Sequence, residues 1–321
     1  MELQPHDIGP LFGHETARAE FMAAMEAGRL HHGWLMRGPR GVGKARLALR
    51  FAMRLLGDRT DLASSPDPAM TRLVLAGSHP DLRVIRRPID DKGKQKSEIP
   101  VDSVRELSEF FALRPALGGW RVAIIDAVDE MNRFGANAVL KTLEEPPSRA
   151  VLFLVAHGEQ ALLPTIRSRC RVLRCGALAE RDERAVLAQA GHAGAKAEEV
   201  ASLAPGRPGR AISLVQDEGD TTGAAISALL RSDRPDAATL QAVLSQGARS
   251  DAALAMSLEH LRTHLHKRAL REPGPAAAGD WAEVALAVAR IGADAAALNQ
   301  DRAQTLAAVL QAVSTRVSAG A

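Results

Sequence analysis

Residues 38–45, Gly-Pro-Arg-Gly-Val-Gly-Lys-Ala, decide the fold of this chain. They match the phosphate-binding pattern G-x-x-x-x-G-K and depart from it only at the end, where Ala45 stands in place of Ser or Thr. Backbone angles that point amide groups at a phosphate are available at the three glycines, Gly38, Gly41 and Gly43. Lys44 adds a cation at a helix N-terminus. The stretch predicts a strand, a phosphate loop and a helix, and the alternative is a glycine-rich turn kept only for its shape.

Short apolar runs of β type alternate with helical patterns on both sides of this loop. They are Trp34–Met36, Leu82–Ile85, Val122–Asp126, Val151–Val155 and Val172–Arg174. Such alternation predicts an α/β fold with a parallel sheet. After Cys175 the strand signals stop and only helical periodicity remains. We therefore predict three domains: an α/β domain at 1–175, a small helical domain at 176–216 and an all-α domain at 217–321.

Composition excludes several classes of protein. The chain has 321 residues, 46% hydrophobic and 25% charged, which is typical of an ordinary globular protein. No apolar run approaches the roughly 20 residues of a membrane helix, and residues 1–10 carry no export signal, so we expect a cytoplasmic protein. Net charge is +5 over residues 1–175 and −2 over 176–321, which permits contact with a polyanion without establishing it.

Metal binding is not indicated by the sequence. Two cysteines, Cys170 and Cys175, are too few for a four-thiolate zinc site, so we expect them to be reduced and packed. Three histidines of the C-terminal part lie close in sequence without acidic or thiolate residues beside them, and we expect them to face solvent: His260, His264 and His266. We predict no metal site and no zinc.

Asp126 ends an apolar strand, the position of the carboxylate that holds the metal ion in phosphate-loop enzymes. We assign a degenerate nucleotide site to Gly38, Gly41, Gly43, Lys44 and Asp126. Ala45 has no oxygen to offer to Mg²⁺, so nucleotide binding can survive where turnover does not.

Two further stretches carry a family resemblance. Residues 135–147, Gly-Ala-Asn-Ala-Val-Leu-Lys-Thr-Leu-Glu-Glu-Pro-Pro, and 166–170, Ile-Arg-Ser-Arg-Cys, resemble the clamp-loader branch of the AAA+ ATPases. Together with Gly-Ser-His-Pro-Asp-Leu at 77–82 and the altered phosphate loop, they make the chain similar to the delta-prime family of bacterial DNA polymerase III. The resemblance covers about residues 8–216. It implies an AAA+ domain at 1–175, a helical lid at 176–216 and an oligomerisation collar at 217–321.

The resemblance also implies roles for individual residues. Arg169, between Ser168 and Cys170, is implied to reach across a subunit interface as a catalytic arginine finger for a neighbour's ATP. Hydrolysing relatives carry a glutamate where this chain has Ala127. In the lid, Gly209 stands where the family has a second nucleotide-sensing arginine. ATP on this chain is therefore expected to be weak or absent, with Mg²⁺ only beside ATP on neighbouring subunits.

The resulting expectation is a noncatalytic clamp-loader subunit that braces its neighbours while they load a sliding clamp during DNA replication. Its implied partners are the gamma/tau ATPase subunits, the delta subunit, the sliding clamp and primer-template DNA, in a DNA-directed DNA polymerase assembly. One alternative is an autonomous P-loop ATPase or the motor subunit itself. Another is a DNA-binding module that uses Arg86, Arg87 and the polar residues 92–96.

Overall fold

The computed structural model describes residues 8–89, 96, 98–157, 164–218, 237–249, 251–271, 274–298 and 300–319. The chain divides into two compact units, residues 1–210 and 211–321. The three-domain division stays a prediction. Of the polar segment 90–96, for which DNA contact is one possibility, only Lys96 is among the described residues.

A five-stranded parallel sheet forms the centre of the first unit. Its strands are β1 (Gly33–Arg37), β2 (Leu82–Arg86), β3 (Arg121–Asp126), β4 (Ala150–Ala156) and β5 (Arg171–Arg174). Their spatial order is β2-β3-β4-β1-β5, and each neighbouring pair is parallel. The predicted parallel sheet is confirmed. The central strands are continuous apolar runs because helices cover both faces of the sheet.

Helices flank the sheet and continue beyond it. They are α1 (Glu15–Glu26), α2 (Lys44–Leu55), α3 (Pro68–Leu75), α4 (Val101–Ala112), α5 (Arg133–Glu144), α6 (Pro164–Arg167), α7 (Glu180–Gln189), α8 (Ala195–Leu203) and α9 (Pro208–Glu218). One face of the sheet packs around Phe21, Phe51 and Phe153, where the Phe21 and Phe51 rings stack with centroids 4.0 Å apart. The other face packs on α4 and α5 through residues such as Leu107 and Val139. Both faces are thus buried, as a parallel sheet requires.

The motif at residues 77–82 has a structural role in this fold. Asp81, which is 1% exposed, accepts hydrogen bonds from the backbone N–H groups of Ala116 and Leu117 at 2.8 and 2.9 Å. Its carboxylate also lies 3.3 Å from Nε of Arg121. These bonds fix the loop that precedes β3, and so set the position of the strand that ends at Asp126.

The second unit is helical throughout its described residues, as the sequence predicts. Its helices are α10 (Ala237–Gly247), α11 (Asp251–Arg271), α12 (Pro275–Leu298) and α13 (Arg302–Ala319). The expectation that His260 faces solvent is wrong, since His260 is only 5% exposed. It follows the buried Ser257 by three residues and precedes the buried Leu261, so it lies on the inner stripe of α11. Within the described residues, no helix combines the length and the apolar character that crossing a membrane requires.

Candidate functional site

The phosphate loop lies at the carboxyl edge of the sheet, between the end of β1 and the start of α2. The N–H of Cys175, just after β5, donates to the carbonyl of Arg37 at 2.7 Å. A Cβ on Gly38 would lie 1.8 Å from the carbonyl oxygen of Cys175. Only glycine fits at this position, so the loop's first glycine is required by the neighbouring strand as well as by any phosphate.

The start of α9 covers the middle of the loop. The N–H of Gly209 donates to the carbonyl of Gly41 at 2.9 Å, and a Cβ on Gly41 would lie 2.4 Å from the backbone nitrogen of Arg210. Gly41 has φ of 89°, a conformation that glycine adopts readily. Gly209 therefore contributes a backbone hydrogen bond to the loop. The resemblance places this residue at the position of a nucleotide-sensing arginine.

Lys44 is turned back onto the loop that it would use to hold a phosphate. Its Nζ donates to the carbonyls of Gly38 and Pro39 at 2.7 and 2.6 Å, and the residue is buried. Burial lowers the pKa of the Lys44 ammonium to about 8, against the opposing effect of nearby acidic groups that include Asp129 and Asp126. The ammonium has its hydrogen-bond acceptors within the protein.

Asp126 is paired with an arginine across the sheet. Arg86 ends β2 and stands opposite Asp126 in the register of β2 and β3. Nε of Arg86 lies 3.2 Å from Oδ2 of Asp126, and both side chains are mostly buried. A guanidinium thus stands beside the carboxylate that a metal ion would need. The sequence assigned Arg86 only to a possible DNA surface, because pairing between strands cannot be read before the strand order is known.

The acidic residues that follow β3 are also bonded within the protein. Glu130 lies 2.6 Å from Nε of Arg87 and 3.5 Å from a terminal nitrogen of Arg40. Burial raises the pKa of Glu130, and both arginines oppose that shift. Oδ2 of Asp129 accepts the backbone N–H of His157 at 2.9 Å. Both carboxylates thus have partners within the protein.

His157, at the end of β4, completes this edge of the sheet. Desolvation and the nearby Lys44 ammonium lower the pKa of its imidazole to about 4, so the ring is neutral at physiological pH. Sequence reasoning missed His157 and Arg40 as members of the site. Their only sequence signal is that each lies in the loops that leave the carboxyl ends of the strands or in the phosphate loop itself.

This set of groups does not fit a magnesium nucleotide. Ala45 supplies no oxygen, Asp126 is paired with Arg86, and Lys44 is bonded to the loop's own carbonyls. The structure brings Gly38, Gly41, Gly43, Lys44 and Asp126 together at the carboxyl ends of the strands, where Lys44 and Asp126 are bonded within the protein. Among the described residues, no group of three or more His, Cys, Asp or Glu side chains could hold a metal ion.

Arg169 lies at the amino ends of the parallel strands, opposite to the phosphate loop. It comes two residues before β5, and its carbonyl oxygen would lie 3.3 Å from a Cβ on Gly33, the first residue of β1. A terminal nitrogen of its guanidinium lies 2.9 Å from Oε1 of Glu144, and the other donates to the carbonyl of Thr165 at 3.1 Å. The side chain is about one-third exposed. Arg169 is therefore a partly exposed cation, held by contacts with α5 and α6.

The neighbours of Arg169 have distinct surroundings. Ser168 Oγ donates to the carbonyl of Thr165 at 3.0 Å, which closes the turn after α6. Cys170 lies against Gly33, and burial raises the pKa of its thiol to about 12. Burial likewise raises the pKa of the Cys175 thiol to about 11. Both thiols are therefore protonated at neutral pH.

Comparison with known proteins supplies the family. The family described as "DNA polymerase III, delta subunit" matches residues 13–178, just over half of the chain. The chain is 39% identical to DNA polymerase III subunit delta' of Pseudomonas aeruginosa over 145 residues, which is 45% of this chain and 43% of that protein. It is 34% identical to the Escherichia coli subunit of the same name over 154 residues, 48% of this chain and 45% of that one.

More distant relatives agree with this grouping. The tau subunit of Salmonella typhimurium DNA polymerase III is 32% identical over 169 residues, 52% of this chain and 25% of the relative. The matches span less than half the length of each of these curated relatives. A gamma subunit-related protein of Thermotoga maritima superposes with a TM-score of 0.50 at 17% identity, covering 94% of this chain and all of that one. That likeness concerns the fold alone.

The fold prediction of an α/β phosphate-loop domain followed by helical parts is thus confirmed, and so is the resemblance to delta-prime subunits. A profile that covers more than half of the chain, together with delta-prime relatives at 34–39% identity, determines the family. The chain belongs to the DNA polymerase III delta-subunit family.

Proposed function

We propose that this chain is a noncatalytic subunit of a DNA polymerase III clamp loader. It braces the gamma/tau ATPase subunits and the delta subunit while a sliding clamp is placed on primer-template DNA, and it donates Arg169 in trans to a neighbour's ATP. The names of the relatives support the assembly, since they are delta' and tau subunits of DNA polymerase III. The same names support a cytoplasmic site of action with the replication machinery.

The observation that carries the proposal is the separation of the two candidate sites by the sheet. The phosphate loop follows the carboxyl end of β1, whereas Arg169 lies beside the amino end of that strand. Five residues of parallel strand span roughly 16 Å. Arg169 therefore cannot serve the phosphate loop of its own chain, and a nucleotide that it contacts belongs to another subunit.

Binding of ATP by this chain is proposed to be weak or absent. The contacts of Lys44, Asp126 and Glu130 support this part of the proposal, because each charged group already has a partner inside the protein. The alternative of an autonomous ATPase or a motor subunit would require several of these contacts to break. The alternative of a DNA-binding module loses support because Arg86 and Arg87 pair with Asp126 and Glu130.

Reconstitution tests the proposed function. We expect the purified chain alone to show no ATP turnover above background, and to form a stable complex with the gamma/tau and delta subunits of the same organism. That complex should load the clamp onto primed DNA, whereas omission of this chain should abolish loading. Strong turnover by the isolated chain, or full loading without it, would contradict the proposal.

A pair of substitutions tests the closed nucleotide site. Ala45→Thr restores the magnesium-binding hydroxyl, but we expect no magnesium-dependent ATP binding, because Asp126 keeps its arginine partner. Ala45→Thr combined with Arg86→Ala should gain a magnesium-dependent affinity that calorimetry detects. Arg83→Ala in the same background is the matched control, since Arg83 is an exposed arginine of the same strand. Tight binding by Ala45→Thr alone would show that Arg86 does not close the site.

A further inference from the structure

Arg169 is held at three points, and one of them lies on a different element of the fold. Its Nη1 atom donates to the Thr165 carbonyl at 3.1 Å and lies 3.4 Å from the Ser168 hydroxyl, both in its own turn. Its Nη2 atom pairs with Oε1 of Glu144, the last residue of α5, at 2.9 Å. Glu144 is the only one of these partners that contributes a charge.

The Glu144–Arg169 ion pair contributes little to the stability of the fold. The two side chains are 50% and 36% exposed, and ion pairs with this degree of exposure contribute little to folding. Removing the carboxylate should therefore leave the fold intact. An effect of Glu144 on function would have to act through the position of the guanidinium.

The contacts leave part of the guanidinium available. Arginine carries five N–H donors in a planar fork, and the contacts of Arg169 with Glu144 and Thr165 use its two terminal nitrogens. Among the described residues, no hydrogen bond occupies its Nε–H. Three of the five N–H groups therefore have acceptors within the chain, which leaves the Nε–H and one terminal N–H for a phosphate.

We propose that Glu144 is a positioning residue for Arg169, and this inference rests on the proposed function. The carboxylate fixes the guanidinium in one orientation before a neighbouring subunit docks. A free arginine side chain has many rotamers, and part of that conformational entropy is already lost in this arrangement. The neighbour's triphosphate then meets a cation that is already oriented, and the rate of the chemical step benefits.

The adjacent Glu145 provides a matched control. It is exposed, it caps α5 through its backbone, and among the described residues its carboxylate has no hydrogen bond or ion pair. Glu145→Gln removes the same charge one residue away from Glu144. Any general effect of surface charge on subunit association should appear equally in Glu144→Gln and Glu145→Gln.

The test is ATP turnover by the reconstituted clamp-loader complex, with Glu144→Gln, Glu145→Gln, Arg169→Ala and the double variant Glu144→Gln/Arg169→Ala. We expect Glu144→Gln to lower kcat about three- to tenfold with KM unchanged. Glu145→Gln should behave as wild type. The double variant should equal Arg169→Ala alone, because Glu144 acts only through Arg169. Complex formation and thermal unfolding should be the same for all four.

The outcomes separate this inference from the proposed function. If Arg169→Ala lowers turnover while Glu144→Gln does not, the positioning role is wrong and the donation of Arg169 stands. If Glu144→Gln raises turnover, the carboxylate restrains the guanidinium and the inference is overturned. If the double variant is slower than Arg169→Ala, Glu144 acts by another route. If Arg169→Ala has no effect, the proposed donation itself fails.

Discussion

Replacing Arg169 by alanine is expected to reduce clamp-stimulated ATP turnover by the reconstituted complex severalfold or more while leaving the complex assembled. At the nucleotide that Arg169 is proposed to contact, the loss of an arginine finger is worth about 10³–10⁵ in rate. That corresponds to roughly 4–7 kcal/mol of activation barrier. Assembly should persist because the side chain is partly exposed and its contacts within the chain are with Glu144, Thr165 and Ser168. Steady-state turnover and size-exclusion chromatography of the same sample measure the two effects.

Arg167→Ala is the matched control for this experiment. Arg167 is an exposed arginine at the end of α6, two residues from Arg169, so its removal makes the same change in charge at nearly the same place. We expect near wild-type turnover from it. Equal losses in the two variants would mean that the region contributes only positive potential, and the specific role of Arg169 would be discarded.

Replacing Arg50 by methionine is expected to lower the free energy of unfolding by about 3–5 kcal/mol. Arg50 is 1% exposed, and its guanidinium donates to the carbonyls of Gly9, Asp61 and Ser64 at 2.9–3.1 Å. It also lies 4.0 Å from the buried carboxylate of Asp58. Methionine fills much of the volume but leaves the carbonyls of Gly9 and Ser64 without this donor and the carboxylate without a nearby cation, whereas the carbonyl of Asp61 still accepts the N–H of Ser64. Urea denaturation followed by circular dichroism gives the value.

The same substitution one turn later provides the comparison. Arg54 is half-buried in α2 and donates to a single carbonyl, that of Asp58, at 3.0 Å. Arg54→Met should cost about 1 kcal/mol, the value of one ordinary hydrogen bond. If Arg50→Met lowered the free energy of unfolding no more than Arg54→Met does, the prediction would be wrong. The guanidinium of Arg50 would then not be the group that holds Gly9 and residues 58–64 against α2.

The sheet could be predicted from the sequence because its strands carry a signal that depends only on local residues. A central strand buried on both faces is a continuous apolar run, and residues 122–126 and 151–155 are such runs. The predicted bounds lie within two residues of the observed strands β1–β5. The sequence signal of the phosphate loop is also local, since three glycines and a lysine at fixed spacing define it.

The partners of the charged residues could not be predicted, since they depend on which strands are neighbours. Arg86 and Asp126 are 40 positions apart in sequence, and only the pairing of β2 with β3 sets them opposite one another. Glu144 and Arg169 meet because the end of α5 lies beside the turn that precedes β5. For the same reason the sequence identified Asp126 as a metal-binding acid, whereas the structure places an arginine at that carboxylate.

His260 illustrates a different limit. The absence of acidic or thiolate neighbours in sequence favours a histidine that is not a metal ligand, but it does not determine which way the residue faces. The leucines of α11 show the helical period in the sequence, as at Leu258, Leu261 and Leu265. Ser257 and His260 are buried beside this row, and their polar side chains give no signal of that position.

The phosphate loop and Arg169 lie at opposite ends of the parallel strands, so the first unit has two different ends. We call the end with Arg169 the donor end and the end with the phosphate loop the acceptor end. If such units associate head to tail, each junction joins the donor end of one chain to the acceptor end of the next. In the proposed assembly this chain has a working donor end and a closed acceptor end. If this chain binds no nucleotide, the subunit at its closed end has none to act on, and the number of junctions that hydrolyse ATP is smaller than the number of subunits. A homo-oligomer of this chain would then have no junction that hydrolyses ATP.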